Sequence, residues 1–490
     1  MARPDIILIK PSSRKQVFGD LTGYAVTAIE PPLWAALLAG YLRGLGYGVE
    51  LLDAEALNLG PQETARAVED LDPWLAAFVV SGTNPSASTI TMDSTGEALR
   101  AVQERVPGAV TALMGLHPSA LPERTLREAQ PDYVIQGEGF RTLPALIDAL
   151  KAGERTPAID GLWYLESGVA RSNPRPAVLP DLDILPRPAW DLLPMGVYRA
   201  HNWHCLDDIS VRQPYTVLYT SLGCPFKCSF CCINSLFGRS GIRYRGIESV
   251  LDELEWLAEN VGVRKVKILD EMFALGEERV VSLCNKIAER GLNLDMWAYA
   301  RVNTVNRRML DAMKAAGINW AAYGFEAADE RVLAASSKGY GLDEVGRVVE
   351  MTREAGMHIC ANFVFGLPED DYDSMQASFT LMQDINAEWA NIYAAMAYPG
   401  SKLHEEAVLN GWPLPDTWKG YSQYSYETLP LPTKTLSGGQ VLAFRDYAFD
   451  AYYGSPRYLD KIEKTFGIET SKYIVSMAKR KMKRKFLATY

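Results

Sequence analysis

Apolar and polar positions follow two rhythms in the first third of this chain, and the rhythms alternate. Apolar runs at 6–10, 49–52, 76–81, 109–114 and 133–135 read as buried strands, and patterns of helical period cover 32–45, 61–71, 91–106 and 142–151. Gly44, Gly46 and Gly48 close the first helix and turn the chain into the next strand. Strands that alternate with crossover helices build a parallel sheet. Five of them predict a doubly wound, Rossmann-like α/β domain whose ligand sits beyond the strand C-termini.

The rhythm breaks over 152–205, where prolines 174, 176, 180, 186 and 188 punctuate the chain. This stretch reads as an ordered interdomain connection with a small hairpin around 161–171. Alternation then resumes, with strands expected at 216–222, 263–270, 294–301, 319–326, 358–366 and 389–397. Helices are expected at 247–260, 277–290, 307–316, 342–355 and 372–385, most of them followed by Gly262, Gly291, Gly317 and Gly356 as left-handed caps. Six β/α units predict a partial (β/α)6 barrel, with chemistry at the C-terminal ends of its strands. Beyond residue 400 the alternation is lost, and a helical or mixed region ends in six basic residues among seven at 479–485. That stretch is either a solvated last turn or a contact for an anionic surface or partner. The expected units are therefore 1–151, 152–205, 206–400 and 401–490.

Composition narrows the function. The 490 residues are 48% hydrophobic and 22% charged, which excludes a largely disordered, collagenous or coiled-coil protein. A net charge of −10 argues against broad electrostatic binding to nucleic acid. Apolar runs such as 74–80 fall far short of the ~20 residues needed to span a bilayer. The first residues carry no secretion-signal pattern, so a soluble, cytoplasmic protein is expected. Seven cysteines do not make a disulfide scaffold, but Cys224, Cys228, Cys231 and Cys232 fall within nine positions.

That cluster lies in Ser221-Leu-Gly-Cys224-Pro-Phe-Lys-Cys228-Ser-Phe-Cys231-Cys232, directly after the first barrel strand. Close thiolates select zinc or iron–sulfur clusters. A structural zinc site draws four ligands from two paired clusters, and no second Cys or His pair follows at a suitable distance. Three cysteines on one loop would leave one iron of a cluster open to an exogenous ligand. The spacing Cys224-x-x-x-Cys228-x-x-Cys231 resembles the signature of radical S-adenosylmethionine (SAM) enzymes. The resemblance implies a 4Fe–4S cluster on these cysteines, with SAM chelated to the open iron and cleaved on reduction to a 5′-deoxyadenosyl radical. It implies further that Phe230 lies near the adenine. Gly324-Phe-Glu326 resembles the motif that contacts the SAM amino group, with Phe325 where Gly is usual. Asn362-Phe-Val-Phe-Gly366-Leu-Pro-Glu369 is similar to the segment near adenine, with Asn362 in the place of its first Gly. Asp270, Glu271 and Arg301 fall where related enzymes place ribose and carboxylate contacts.

The preceding domain resembles the cobalamin-binding domain of the B12-dependent radical SAM group. The resemblance rests on Glu30-Pro-Pro-Leu-Trp-Ala-Ala-Leu-Leu, Gly115-Leu-His117-Pro, Gly137-Glu-Gly-Phe and Ala189-Trp-Asp-Leu-Leu-Pro. Ser81, Gly82 and Thr83 after the third strand, and Gly115 after the fourth, let backbone approach a bulky nucleotide tail. The Asp-x-His-x-x-Gly motif that supplies a cobalt ligand in other B12 proteins is absent, and no histidine precedes His117. His117 either sits by the corrin or is satisfied by a backbone partner. His201 and His204, in His-Asn-Trp-His-Cys, are substrate-pocket candidates against plain linker packing. Trp297, Tyr299, Trp320 and Tyr323 lie on barrel strands, where alternate positions face the lumen, and Trp297, Tyr299 and Tyr323 are the substrate-wall candidates against core packing. Cys232, Cys284 and Cys360 read as small buried hydrophobes.

Together these features predict an enzyme using a 4Fe–4S cluster, SAM and cobalamin, with no individual catalytic acid or base identified. The expected reaction is methylation of an unactivated carbon, or a phosphinate phosphorus, in a small natural product or precursor. A flavodoxin- or ferredoxin-type donor would supply the electron. The main rival is radical dehydration, epimerisation, cyclisation or rearrangement without methyl transfer, on a domain that binds no cobalamin. An iron–sulfur carrier and a zinc-bound nucleic-acid module are the rivals from other classes.

Overall fold

The structure, a computed structural model, describes residues 3–19, 21, 27–81 and 85–487. Five parallel strands open it: β1 Ile6–Lys10, β2 Val49–Asp53, β3 Leu75–Val80, β4 Thr111–Gly115 and β5 Tyr133–Ile135. A hairpin of β6 Leu162–Glu166 and β7 Val169–Ser172 continues the sheet, giving the order β2-β1-β3-β4-β5-β6-β7. Its first five strands are the doubly wound α/β arrangement predicted. The hairpin expected inside the connection instead pairs antiparallel with β5, Tyr133 opposite Tyr164, so the sheet runs on to residue 172. Both faces are covered: Ile6 and Leu8 enter one core while Ile7 and Ile9 enter the other. This is why β3, Leu-Ala-Ala-Phe-Val-Val, is apolar at every position. Helix Leu33–Gly44 covers the first face, and Gly40 has no room for a side chain, since a Cβ would meet the Arg187 carbonyl at 2.6 Å.

The second sheet contains only parallel strands, lying side by side in chain order from one edge to the other. They are β8 Tyr215–Leu218, β11 Lys265–Ile268, β12 Asp295–Ala300, β13 Ile318–Glu326, β14 His358–Phe365 and β15 Trp389–Ala394. Two short strands, β9 Ser221–Leu222 and β10 Arg243–Tyr244, pair antiparallel at its mouth. The strands form a six-stranded partial barrel with two edges, as the sequence pattern predicts.

The β15 edge is sealed by the C-terminal region. The Tyr453 hydroxyl accepts from Ala390 N and donates to Ala390 O, at 3.1 and 2.6 Å. Arg445 Nε donates to Ile392 O at 2.8 Å. The Gln423 amide meets Ala394 N and O at 3.0 and 2.9 Å. These are the outward backbone groups at every second residue, so side chains replace the missing strand. Among the described residues no helix is long and apolar enough to cross a membrane.

Candidate active site

The cysteine loop begins where β9 ends, and buried polar contacts fix its start. Asp270 accepts from Thr220 N, Thr220 Oγ1 and Ser221 Oγ, each at 2.6 Å. At Gly223 φ is +92° and a Cβ would lie 2.5 Å from the Gly241 carbonyl, so only glycine fits the turn into Cys224. Cys224, Cys228 and Cys231 then line one cavity of about 400 Å3. Each sulfur faces one N–H donor: Phe226 N for Cys224, Ile233 N for Cys231, and Arg301 Nη1 at 3.5 Å for Cys228. Burial pushes the Cys224 thiol up to about 11 and the Cys231 thiol up to about 12. Metal binding here therefore displaces protons. Among the described residues no three His, Cys, Asp or Glu side chains converge on a single-ion position. Three soft donors on one loop, each otherwise open to the cavity, suit a cluster whose irons occupy separate corners better than a lone ion.

The barrel strands bring charge to the same cavity. Glu326 ends β13 with φ +59°, and its carboxylate pairs with Lys338 Nζ at 2.7 Å. Both side chains are 8% exposed and both line the cavity. A Cβ on Gly324 would lie 2.2 Å from Glu326 Oε1, so the missing side chain there makes room for the pair. The Tyr340 hydroxyl shares its one O–H between the Gly324 and Phe325 carbonyls, 2.8 and 2.9 Å away, fixing this bulged strand end. Lys338 lies 5.7 Å from the Phe230 ring centroid, and the Arg301 guanidinium 4.0 Å from that of Phe226, linking both cations to the cysteine loop. Glu271 lines the cavity and accepts from Gly223 N at 3.1 Å; burial pushes its carboxyl up to about 7.

The first domain closes the cavity from the other side. Lys10 ends β1, Ser81 follows β3, and Gly115 ends β4, and all three line it. Gly115 has φ +129°, and a Cβ there would strike the Val80 carbonyl at 2.1 Å. Bare backbone thus faces the crevice beyond the strand ends, as a bulky ligand bound there requires. Gly82 and Thr83 lie outside the described residues. Glu30, just before helix Leu33–Gly44, reaches into the barrel and lines the cavity. Its carboxylate accepts from Lys267 Nζ at 3.3 Å and from the Tyr215 hydroxyl at 3.2 Å. Burial opposes its charge, but Lys267 and His201 outweigh burial and hold it at about 2.

Several residues singled out in the sequence sit elsewhere. Asp270 is fully buried, spends its oxygens on Thr220 and Ser221 and does not line the cavity. Gly366 is tight against Val441, where a Cβ would lie 2.3 Å away, and it is Asn362 and Val364 of that segment that reach the cavity. His117 is buried behind the crevice, with Nδ1 3.2 Å from Thr89 Oγ1 and its ring on Trp418; burial drives its pKa down to about 3. His204 is fully buried, with Nε2 3.5 Å from Asp295 Oδ1, and His201 Nε2 lies 3.3 Å from Glu30; neither lines the cavity. Trp203 between them packs on Trp297 and Trp320, plugging the end of the barrel where strands begin. Trp297 is consumed there. Tyr323 points the other way along β13, its hydroxyl 2.9 Å from Thr352. Of the substrate-wall candidates Tyr299 alone lines the cavity, with Tyr219 and Tyr393 beside it, and Phe230 of the cysteine loop lines it too. Lys10, Glu30 and Lys338 carried no sequence signal for this site beyond the Glu30-Pro-Pro resemblance, because only tertiary contacts bring them here.

A model of the radical SAM superfamily matches residues 218–382, and one of the B12 binding domain matches residues 21–147. An uncharacterized methyltransferase of Pyrococcus horikoshii is 30% identical over 462 residues, covering 93% of this chain and 94% of that relative. The anaerobic magnesium-protoporphyrin IX monomethyl ester cyclase of Cereibacter sphaeroides is 26% identical over 433 residues, covering 86% of this chain and 66% of the cyclase. Among solved structures, the radical S-adenosylmethionine methyltransferase TsrM from Kitasatospora setae, with cobalamin and a [4Fe-4S] cluster bound, matches at TM-score 0.68. It is 18% identical, with 92% of this chain and 89% of that one covered. Fold and cysteine loop thus define a radical SAM enzyme. The chain belongs to the radical SAM superfamily, in the branch that carries a B12-binding domain, and its cofactors are a 4Fe–4S cluster, SAM and cobalamin.

Proposed function

We propose that this enzyme methylates an unactivated carbon, or a phosphinate phosphorus, of a small natural product or its precursor. The observation that carries the reading is one shared cavity: the three cysteine sulfurs and the crevice formed by Lys10, Ser81 and Gly115 open onto the same space. When bound, the cluster and SAM supply a 5′-deoxyadenosyl radical, and cobalamin supplies the methyl group. Cys224, Cys228 and Cys231 hold the cluster. Glu326, fixed by Lys338, would hold the SAM amino group, with Glu271 and Phe230 of the same cavity as its ribose and adenine contacts. Arg301 steadies Cys228 by its hydrogen bond.

The substrate meets the tyrosine wall. Tyr219, Tyr299 and Tyr393 line the cavity, and among the described residues none of their hydroxyls has a hydrogen-bond partner. Three free phenols offer a neutral, apolar-bodied molecule with oxygen acceptors the partners it needs. A flavodoxin- or ferredoxin-type protein delivers the electron in the reducing cytoplasm, where the seven free cysteines stay reduced. The likeness to the cyclase supports a second reading, ring formation in the same cavity without methyl transfer.

The test uses anaerobically purified, cluster-reconstituted protein given hydroxocobalamin, passed through gel filtration, then supplied with SAM and a low-potential reductant. Near-stoichiometric cobalamin in the visible spectrum, with both 5′-deoxyadenosine and S-adenosylhomocysteine formed, is the expected result. SAM cleavage without retained cobalamin overturns the methyltransferase reading. Retained cobalamin with 5′-deoxyadenosine but no S-adenosylhomocysteine selects the cyclase-like alternative.

A further inference from the structure

Lys10 is the last residue of β1, at the point where the strand order β2-β1-β3 reverses direction. Ligands of doubly wound sheets bind at that crevice. Three cations line the cavity among the described residues; Arg301 and Lys338 belong to the barrel, and Lys10 comes from the first domain. Its ammonium carries three N–H groups. One donates to Glu55 Oε1 at 3.1 Å and one to the Glu30 carbonyl at 3.2 Å. Among the described residues no third partner meets it, and the side chain stays 12% exposed where it lines the cavity. Burial disfavours the charge, but Glu55, Asp53 and Glu30 outweigh it and raise the Lys10 pKa, so the group is an ammonium at any working pH. No histidine lines the cavity among the described residues.

Resting on the cobalamin reading above, we infer that Lys10 is a cobalamin contact: it donates its remaining N–H to a carbonyl of the amide-bearing corrin periphery. Being protonated, it has no lone pair for cobalt, so it acts as a fixed donor and not as a metal ligand. A plain structural role, pairing Glu55 and nothing more, predicts a different outcome when both partners are neutralised together.

The experiment measures hydroxocobalamin affinity of the cluster-reconstituted chain by equilibrium dialysis, read by visible absorbance. Lys10→Met is expected to weaken binding roughly ten- to a hundredfold, the range of a charge-assisted hydrogen bond. Lys10→Arg, which keeps the charge and donor, recovers most of it. Because Lys10→Met leaves Glu55 buried and unpaired, the double variant Lys10→Met/Glu55→Gln is measured beside it, with melting temperature as the fold control. A double variant that melts like the wild type and still binds weakly supports the inference. One that melts like the wild type and binds as tightly as it overturns the inference while leaving the methyltransferase reading intact. A wild-type chain that retains no hydroxocobalamin overturns both.

Discussion

Glu326 sits where a non-glycine residue is costly: a left-handed backbone, a buried carboxylate and a strand bulge meet at one position. Such strain persists only where neighbours over-determine it, and here Lys338 and the Tyr340 hydroxyl do so. Gly324→Ala drives a Cβ into the Glu326 carboxylate. It is expected to lower SAM affinity at least roughly tenfold, about the worth of one charge-assisted hydrogen bond, with unchanged iron content after reconstitution. Equilibrium dialysis with SAM and iron analysis test this, and unchanged SAM binding would place the Glu326–Lys338 pair outside the SAM site. His117 supplies a pH signature. Its folded pKa of about 3 lies below the unfolded value of 6.5 because burial disfavours the cation. Its contribution to stability is therefore complete above 6.5 and is lost as pH falls towards 3. Linkage puts the loss between pH 7 and pH 5 at about 2 kcal/mol. Urea unfolding at the two pH values is expected to show that loss in the wild type, and a slope smaller by this amount in His117→Gln. Equal slopes would mean that His117 becomes protonated without opening its pocket. Of the residues at this scale, the three cysteines were readable because their spacing is local. Lys338 was not, since only the turn through Ser337 and the approach of Glu326 give that lysine a partner.

Strands were the most legible elements, because burial on both faces or on one leaves apolar runs whose period a short window can show. The barrel strands and helices therefore stand where the pattern placed them, to within a few residues. The hairpin β6–β7 was legible as a hairpin but not as part of the first sheet: its partner β5 lies some distance upstream, and pairing across such a gap leaves no local trace. The sealed edge of β15 was equally hidden. Its outward amides are satisfied by Gln423, Arg445 and Tyr453, three side chains of a region that reads from sequence only as helical or mixed. Gln423→Ala strips both partners from Ala394 next to the cavity. Leaving buried backbone groups unsatisfied costs about 1–3 kcal/mol each, so a clear fall in melting temperature is expected. Amide exchange should accelerate at Ala394 and stay slow in β11 and β12. Uniform acceleration across the barrel would instead mean that the edge has no stability of its own.

The cavity exists only while the two sheets keep their relation, since its walls come from both. Two buried ion pairs span that boundary among the described residues, Glu30 with Lys267 of β11 and Glu138 with Arg243 of β10, and the second gathers three parts of the chain. Glu138, in the loop after β5, pairs with Arg243 of β10 at 2.6 Å, its other oxygen accepts from Leu179 N at 2.7 Å, and its carbonyl accepts from Trp34 Nε1 at 3.3 Å. Arg243 also donates to the Leu179 carbonyl, so the first domain, the connection and the barrel meet at one knot. A second tie runs over the far side, where Lys419 N donates to Asp93 and Ser422 Oγ to the Val17 carbonyl. Glu138→Ala leaves Arg243 buried without its carboxylate, a loss of about 3–5 kcal/mol for a pair of this burial. The cluster cysteines belong wholly to the barrel side, so reconstituted iron should be unchanged. Hydroxocobalamin affinity should fall, because Lys10, Ser81 and Gly115 would no longer be held against the barrel mouth. Limited proteolysis should cut faster between residues 173 and 200, where the connection crosses the knot. Weaker binding with no new cleavage would place the effect in the Glu138 loop itself. Faster cleavage with full affinity would show that the remaining ties, the Glu30–Lys267 pair and the strap over Asp93 and Val17, hold the two domains together without Glu138.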